Sequence, residues 1–301
     1  MTRNLILVGA FVLAGSAVAQ ESDVTEITTT ETVVPSGVDL LSPPLWNMED
    51  ATPLDTHKVD LRLGFRWVTS SDPANRGDSD DDFVVQPWIV WGCCPNVQVS
   101  LGVPVWLGDG GDRPGRRGDD KRGAWGNWRG TGGGVWDGVN GNADTYFGLL
   151  WRLTDQQDYV PAFALAGNMR IPTGDNSSGV DGEIRLILTN EYDSGIRSHI
   201  NGFFETVNGN NEEDLRHFGW GVVVGLDGPL CADGAVRWVG DFMHRSGPHY
   251  GASDINMLEL GWEWEMAEAQ KLGMSMQIGL DDNEDTLNFS AGLTYAYSIV
   301  Y

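Results

Sequence analysis

The chain ends Leu287-Asn288-Phe289-Ser290-Ala291-Gly292-Leu293-Thr294-Tyr295-Ala296-Tyr297-Ser298-Ile299-Val300-Tyr301. Leu287, Phe289, Leu293, Tyr295, Tyr297, Ile299 and Tyr301 fall at alternate positions. A period of two places these side chains on one face of a β-strand. A last strand that is apolar on one face and ends on an aromatic residue predicts the closing strand of a barrel.

The same pattern repeats upstream. Val59, Leu61, Leu63, Phe65 and Trp67 alternate with Asp60, Arg62, Gly64 and Arg66. Phe83, Val85, Ile89 and Trp91 line a second stretch, and Val97, Val99, Leu101, Val103 and Val105 a third. Thr145, Phe147, Leu149, Trp151 and Leu153 alternate with Asp144, Tyr146 and Arg152, and Phe163, Leu165, Met169 and Ile171 with Asn168 and Arg170. Ile184, Leu186 and Leu188 oppose Glu183 and Arg185, while 196–206 is weaker, with Arg197, His199, Asn201 and Glu205 on one face. Residues 220–226 alternate apolar with glycine; Val236, Trp238 and Phe242 oppose Arg237 and Asp241. Leu258, Leu260, Trp262 and Trp264 oppose Glu259, Glu263 and Glu265, and Leu272, Met274, Met276 and Ile278 oppose Lys271, Ser275 and Gln277. This reading predicts an all-β chain: a transmembrane antiparallel up-and-down β-barrel of about 12 strands, each long enough to cross a bilayer at a tilt.

The connections alternate in length. Those at 92–96, 154–158 and 193–195 are short; those at 69–82, 108–142, 173–181 and 208–217 are longer. Membrane barrels have short periplasmic turns and long outer loops, so both termini are expected to be periplasmic, with the last strand paired to the one beginning at Val59. In hydrocarbon every backbone polar group must be paired within the protein, so the sheet must close. One face then meets lipid, and the other faces a lumen that can carry charge. Arg62, Arg66, Arg152, Arg170, Arg185, Arg197, Arg237, Glu259 and Glu263 are the candidate lumen residues. Opposed signs across a narrow pore would select solutes by local field; the same charges, paired with one another, could instead fill a closed barrel. A soluble β-sandwich also alternates, but the density of Trp and Tyr on the apolar faces weighs against it.

The amino terminus gives the compartment. Arg3, an apolar run from Leu5 to Ala14 and Ala17-Val18-Ala19 form the pattern of a secretory signal peptide over 1–19. Residues 20–56 have no sustained period and read as an irregular periplasmic leader or plug-like tail, ahead of the barrel over 57–301. The formal charge of -24 argues against nucleic acid as a partner. Forty glycines do not suit a helical chain. Three cysteines, Cys93, Cys94 and Cys231, are too few for a disulfide framework, though the first two could meet the third if all three lie on one side of the membrane. No cofactor or metal is expected. The partners expected are outer-membrane lipid and a small-molecule solute.

Several motifs resemble the outer-membrane family named for transporters of the MetA pathway of phenol degradation. Trp91-Gly92-Cys93-Cys94-Pro95-Asn96-Val97, running on to Val105, is similar to that family's aromatic-Gly-turn-strand-Pro segment, and 142–149 to its Gly-Asp-led strand. Arg170-Ile171-Pro172-Thr173-Gly174-Asp175 is similar to its strand ending in Pro-Thr-Gly-Asp. The likeness covers most of 57–301 and departs at Cys93-Cys94 and at the long Gly/Arg loop. It implies a barrel with an uptake role for hydrophobic or aromatic compounds. Leu293, Tyr295, Tyr297, Ile299 and Tyr301 also resemble the C-terminal signal read by the barrel-assembly machinery.

The functional expectation is an outer-membrane channel or transporter for small solutes, which the resemblance would make hydrophobic or aromatic. One alternative is a structural or adhesive barrel acting through its outer loops, notably the basic stretch Arg113–Arg122 with Trp125, Trp128 and Trp136. Another is a rim lipid hydrolase using His244, His249, Ser253 and Asp254, although no Gly-x-Ser-x-Gly elbow is present. The acidic runs 78–82 and 281–285 lack the spacing of a calcium loop.

Overall fold

The period-two stretches become strands: β1 (Lys58–Ser71), β2 (Ser79–Cys94), β3 (Val97–Gly102), β4 (Val105–Trp106), β5 (Thr145–Thr154), β6 (Ala162–Ile171), β7 (Asp181–Glu191), β8 (Arg197–Thr206), β9 (Phe218–Pro229), β10 (Val236–Arg245), β11 (Ile255–Ala267), β12 (Gln270–Gly279) and β13 (Phe289–Val300). The structure, a computed structural model, describes residues 47–71, 79–106, 144–173, 179–206, 217–231, 234–247, 253–280 and 289–301. The signal-peptide reading of 1–19, residues 20–46, the basic loop, His249 and the acidic run 281–285 lie outside the described residues, as do the side chains of 78–82.

Strands β3 and β4 both pair with β2 and together form one stave, interrupted at Val103-Pro104. Proline has no N–H to give to a ladder, so the strand breaks where Pro104 falls. Twelve staves result. Each pairs antiparallel with the next, and β1 pairs with both β2 and β13, so the ring closes. The register of the closing seam sets Val59 against Ile299, Leu63 against Tyr295 and Phe65 against Leu293. The expected pairing of the last strand with the one beginning at Val59 is therefore present.

Closure leaves two surfaces. Leu63, Ile89, Leu101, Leu186, Val224, Leu260, Met274 and Leu293 are exposed around the middle of the outer face. Trp91, Trp151, Trp264 and Tyr297 are exposed toward the rim that carries the short turns, and Trp67, Phe147 and Trp220 toward the opposite rim. A belt of aliphatic side chains between two aromatic girdles is the outer surface of a membrane barrel, because aromatic rings with a polar edge sit at the lipid–water boundary. The fold is that of an outer-membrane β-barrel.

The chain end is fixed at the short-turn rim. Tyr301 donates its backbone N–H to the His57 carbonyl at 3.1 Å, its ring meets His57 edge-on at 5.6 Å, and its hydroxyl accepts from the Trp91 indole N–H. Cys93 and Cys94 end β2, with their sulfurs 3.7 Å apart, whereas Cys231 follows β9. Five staves lie between β2 and β9 in either direction around the ring, which sets them half a circumference apart. A bridge from Cys93 or Cys94 to Cys231 would cross the barrel mouth, far beyond the Cα separation of about 4.4–6.8 Å that a disulfide allows, and all three thiols are free.

Residues 47–54 have no strand structure, yet Asn47, Met48, Glu49, Asp50, Ala51 and Leu54 are buried. They run inside the barrel, from Asp55 at the short-turn rim to Asn47 near mid-height. Glycines on the inner wall make room for them. A Cβ on Gly225 would strike the Met48 sulfur and lie 2.9 Å from the Asp241 Cβ, and one on Gly92 would strike the Asp55 carbonyl oxygen. Of the stretch 20–56, read from sequence as a periplasmic leader or plug-like tail, residues 47–54 stand in the lumen. Their backbone donors find partners on the inner wall, which an unstructured leader would satisfy with water.

Candidate functional site

In the described staves every second residue points inward, and the inward set mixes polar and charged side chains with apolar patches around Met48 and around Ala51. Its charged groups fall into three tiers. Nearest the long-loop rim, Arg170 from β6 is held between Asp144 at 2.5 Å and Asp181, while Arg245 from β10 pairs with Glu205 from β8 at 2.5 Å. Thr173 extends this tier, donating its N–H to Asp144 at 3.1 Å and accepting from the Thr145 N–H at 2.9 Å. Thr173 thus latches the end of β6 to the start of β5; Gly174 and Asp175, which follow it, lie outside the described residues.

The middle tier meets the inner segment. Arg185 from β7 donates to Glu183 at 3.2 Å and to the Asn47 carbonyl at 2.7 Å, and its guanidinium lies 4.8 Å from the centre of the Phe203 ring. Asn47 donates its backbone N–H to Glu259 at 2.8 Å and its side-chain N–H to Asp241 at 3.2 Å, and accepts from Gln277 at 3.2 Å. Arg66 donates to Gln277 at 2.8 Å. Asn201 from β8 accepts the Glu49 N–H at 2.5 Å and donates to the Glu49 carbonyl at 3.0 Å. Met48 packs among Phe203, Val223, Val239, Met243 and Met257.

The third tier, toward the short-turn rim, centres on Asp227 from β9. Its carboxylate accepts from Arg197 at 3.1 Å, from His199 at 2.6 Å and from Arg237. Arg197 also donates to Asp50 of the inner segment at 2.5 Å. Thr189 links His199 at 3.1 Å to the Ala51 N–H at 3.0 Å, and Gln98 accepts the Leu54 N–H at 2.8 Å. On β1 of the closing seam, Arg62 pairs with Asp60 at 2.9 Å, and between β12 and β11 Lys271 lies 3.7 Å from Glu263.

Of the lumen residues expected from sequence, Arg62, Arg66, Arg170, Arg185, Arg197, Arg237, Glu259 and Glu263 are buried on the inner wall. Arg152 is not part of this set. It sits beside a register shift at the end of β5, half exposed, bonding Asn96 at 2.9 Å and Asp155 at 3.1 Å at the short-turn rim. Asp227 and Arg245 were absent from the candidate list, although the inward parity of β9 and β10 would have found both. No periodic signal marks Asn47, Glu49 or Asp50. Leu293, Tyr297, Ile299 and Tyr301 lie exposed on the outer face. His244 also points outward, beside Trp220 at 5.3 Å, with Asn256 on one ring nitrogen at 2.9 Å and Asp254 3.7 Å from the other. Asn256, Asp254 and Trp220 thus surround its ring, while His249, the other histidine of the rim-hydrolase reading, lies outside the described residues.

No protein-family model matches the chain, and no curated protein matches it in sequence. Solved structures match it in fold. The COG4313 outer membrane channel from Pseudomonas putida F1 superposes with a TM-score of 0.59 at 10% identity, over 83% of this chain and 98% of the channel. The NanC porin superposes with a TM-score of 0.50 at 7% identity, over 81% of this chain and 99% of the porin. At these identities the likeness is one of architecture: a 12-stave barrel that other chains use as outer-membrane channels and porins.

Proposed function

We propose that the protein is a passive outer-membrane channel for small polar solutes, with both termini at the periplasmic rim and residues 47–54 standing in its conduction path. One observation carries this reading: among the described residues, a closed, membrane-girdled barrel carries three tiers of charged groups on its inner wall. A barrel that served only to carry outer loops could fill its interior with apolar side chains and avoid the several kcal/mol that each buried ion costs unless paired. Charges at the lumen are useful where ions or polar molecules pass. The fold shared with channels and porins supports the same reading. The hydrophobic or aromatic solutes implied by the sequence resemblance find support in the apolar patches around Met48 and Ala51, beside which the described middle tier presents guanidinium, carboxylate and amide groups. The alternation of loop lengths supports the orientation, and the outward row from Leu293 to Tyr301 supports recognition by the barrel-assembly machinery.

The experiment is single-channel recording in a planar bilayer. The full chain should give small, discrete conductance steps. Asp50→Ala, which releases the inner segment from Arg197, should raise the mean current severalfold. A correctly folded barrel that conducts in neither form sinks the channel reading.

A further inference from the structure

We propose that the middle of the lumen is a binding site for short zwitterionic peptides of three or four residues, occupied in the folded chain by its own residues 47–51. This deepens the channel reading and rests on it, naming the class of solute the wall is built to hold.

The contacts to the segment are first of all contacts to its backbone. Glu259 accepts the Asn47 N–H and Arg185 donates to the Asn47 carbonyl. The single side chain of Asn201 accepts the Glu49 N–H and donates to the Glu49 carbonyl. Thr189 accepts the Ala51 N–H. Residues 47, 49 and 51 are thus held at every second position by groups that any peptide would satisfy, whatever its side chains. Main-chain bonds of this kind give affinity, and pockets between them give selectivity. The pocket here is the apolar nest around Met48, opened by Gly225. It takes the side chain of the second residue of the ligand.

The two ends of the track carry opposite charge. At the lower end, Arg197 and Arg237 share one hydrogen-bonded carboxylate, Asp227, with the field of Glu263 also reaching Arg197, and Asp50 supplies a second bonded carboxylate. At the upper end, Asp241 and Glu259 stand directly opposite each other on β10 and β11. Arg66 is the cation whose field reaches both. Asn47 gives each carboxylate one N–H, and Asp241 Oδ2 and Glu259 Oε1, both buried, have no hydrogen-bond partner among the described residues. The resident chain brings this end the Asn47 backbone and side-chain N–H groups and the Met48 N–H, all of them neutral; an ammonium brings three donors together with a full positive charge, so a free peptide amino terminus adds the charge that the resident chain lacks. From the Asn47 nitrogen to Asp50 is three residues, at most about 10 Å. A tripeptide or tetrapeptide therefore reaches from the carboxylate pair to Arg197 with its own terminal carboxylate. Binding forms and breaks no covalent bond; it exchanges one set of charge-assisted hydrogen bonds for another.

The test uses the full chain carrying Glu49→Ala and Asp50→Ala, which loosens the resident segment, with folding checked by heat-modifiable gel mobility. Calorimetric titration with the free peptide Ala-Met-Ala-Ala should give saturable binding. The same peptide acetylated and amidated should bind at least about tenfold more weakly, a difference of about 1.4 kcal/mol. Adding Arg197→Gln should erase most of the preference for the free carboxyl end. If the double variant does not fold, the unsubstituted chain is titrated over a tenfold higher peptide range. Absence of binding, or equal binding of free and capped peptides, overturns the proposal. Parallel bilayer recording separates the two readings: a barrel that conducts but does not discriminate the peptides loses the site and keeps the channel. One that discriminates them without conducting keeps the site and loses the channel.

Discussion

Two carboxylate sites in the lumen, Asp227 and the Asp241–Glu259 pair, are equally buried but solve opposite problems. Asp227 draws donors from three of its neighbours on the wall, Arg197, His199 and Arg237, which come from β8 and β10 on either side of β9. Its partners are all part of the barrel. Asp241 and Glu259 are two carboxyl groups set directly opposite each other, and ionising both would place like charges across the pair, which destabilises a sheet. Their hydrogen bonds come in part from Asn47, which is not part of the barrel wall. The first site holds the barrel together; the second is finished only when something stands in the lumen.

The largest effect that would sharpen this contrast comes from Asp227→Ala. It leaves two buried guanidinium groups short of a shared counter-charge, and breaking a buried pair this way costs about 3–5 kcal/mol. Urea unfolding of the refolded barrel in lipid vesicles, followed by tryptophan fluorescence, should show the midpoint fall accordingly. A loss under about 1 kcal/mol would mean that Asp50 and the remaining wall already compensate. Asn47→Ala should come next. It removes a side-chain donor to Asp241 and the acceptor for Gln277, and hydrogen bonds to charged groups contribute about 1.5–3 kcal/mol. The loss should appear as easier release of the inner segment, read as faster proteolysis near Asp50 with the barrel midpoint nearly unchanged. The smallest effect, and of the opposite sign, is expected for Asp241→Asn, which keeps an acceptor for Asn47 and removes one of two facing carboxyl groups. Stability should rise by up to about 1 kcal/mol; a clear loss would break the view that this pair is held at a cost.

Much of this barrel is legible in sequence because the rule behind it is local. Each stave alternates between lipid and lumen, so the side of Leu260 or Glu259 follows from its position parity alone. Twelve staves, the closure of β13 on β1 and the inward set apart from Arg152 all follow from that parity and from turn residues. Arg152 departs because the register shifts beside it, which parity does not reveal. Pro104 could have been read as the break between β3 and β4, since a missing N–H is a property of the residue itself.

The pairings inside are another matter. That Asp50 meets Arg197, across 147 positions of sequence, or that Asn47 meets Gln277, across 230, depends on the register of every ladder between them. The same holds for the cysteines, whose separation by half the ring comes from strand order and not from spacing. The inner segment had no period to betray it, because its backbone is satisfied by side chains of the wall and not by a neighbouring strand. The sequence by itself determined that the chain alternates, closes and spans a membrane, since hydrocarbon demands a paired backbone and an apolar outer face. Only the tertiary structure decided which charges meet and what stands between them, since those contacts exist only once the ring has closed around residues 47–54.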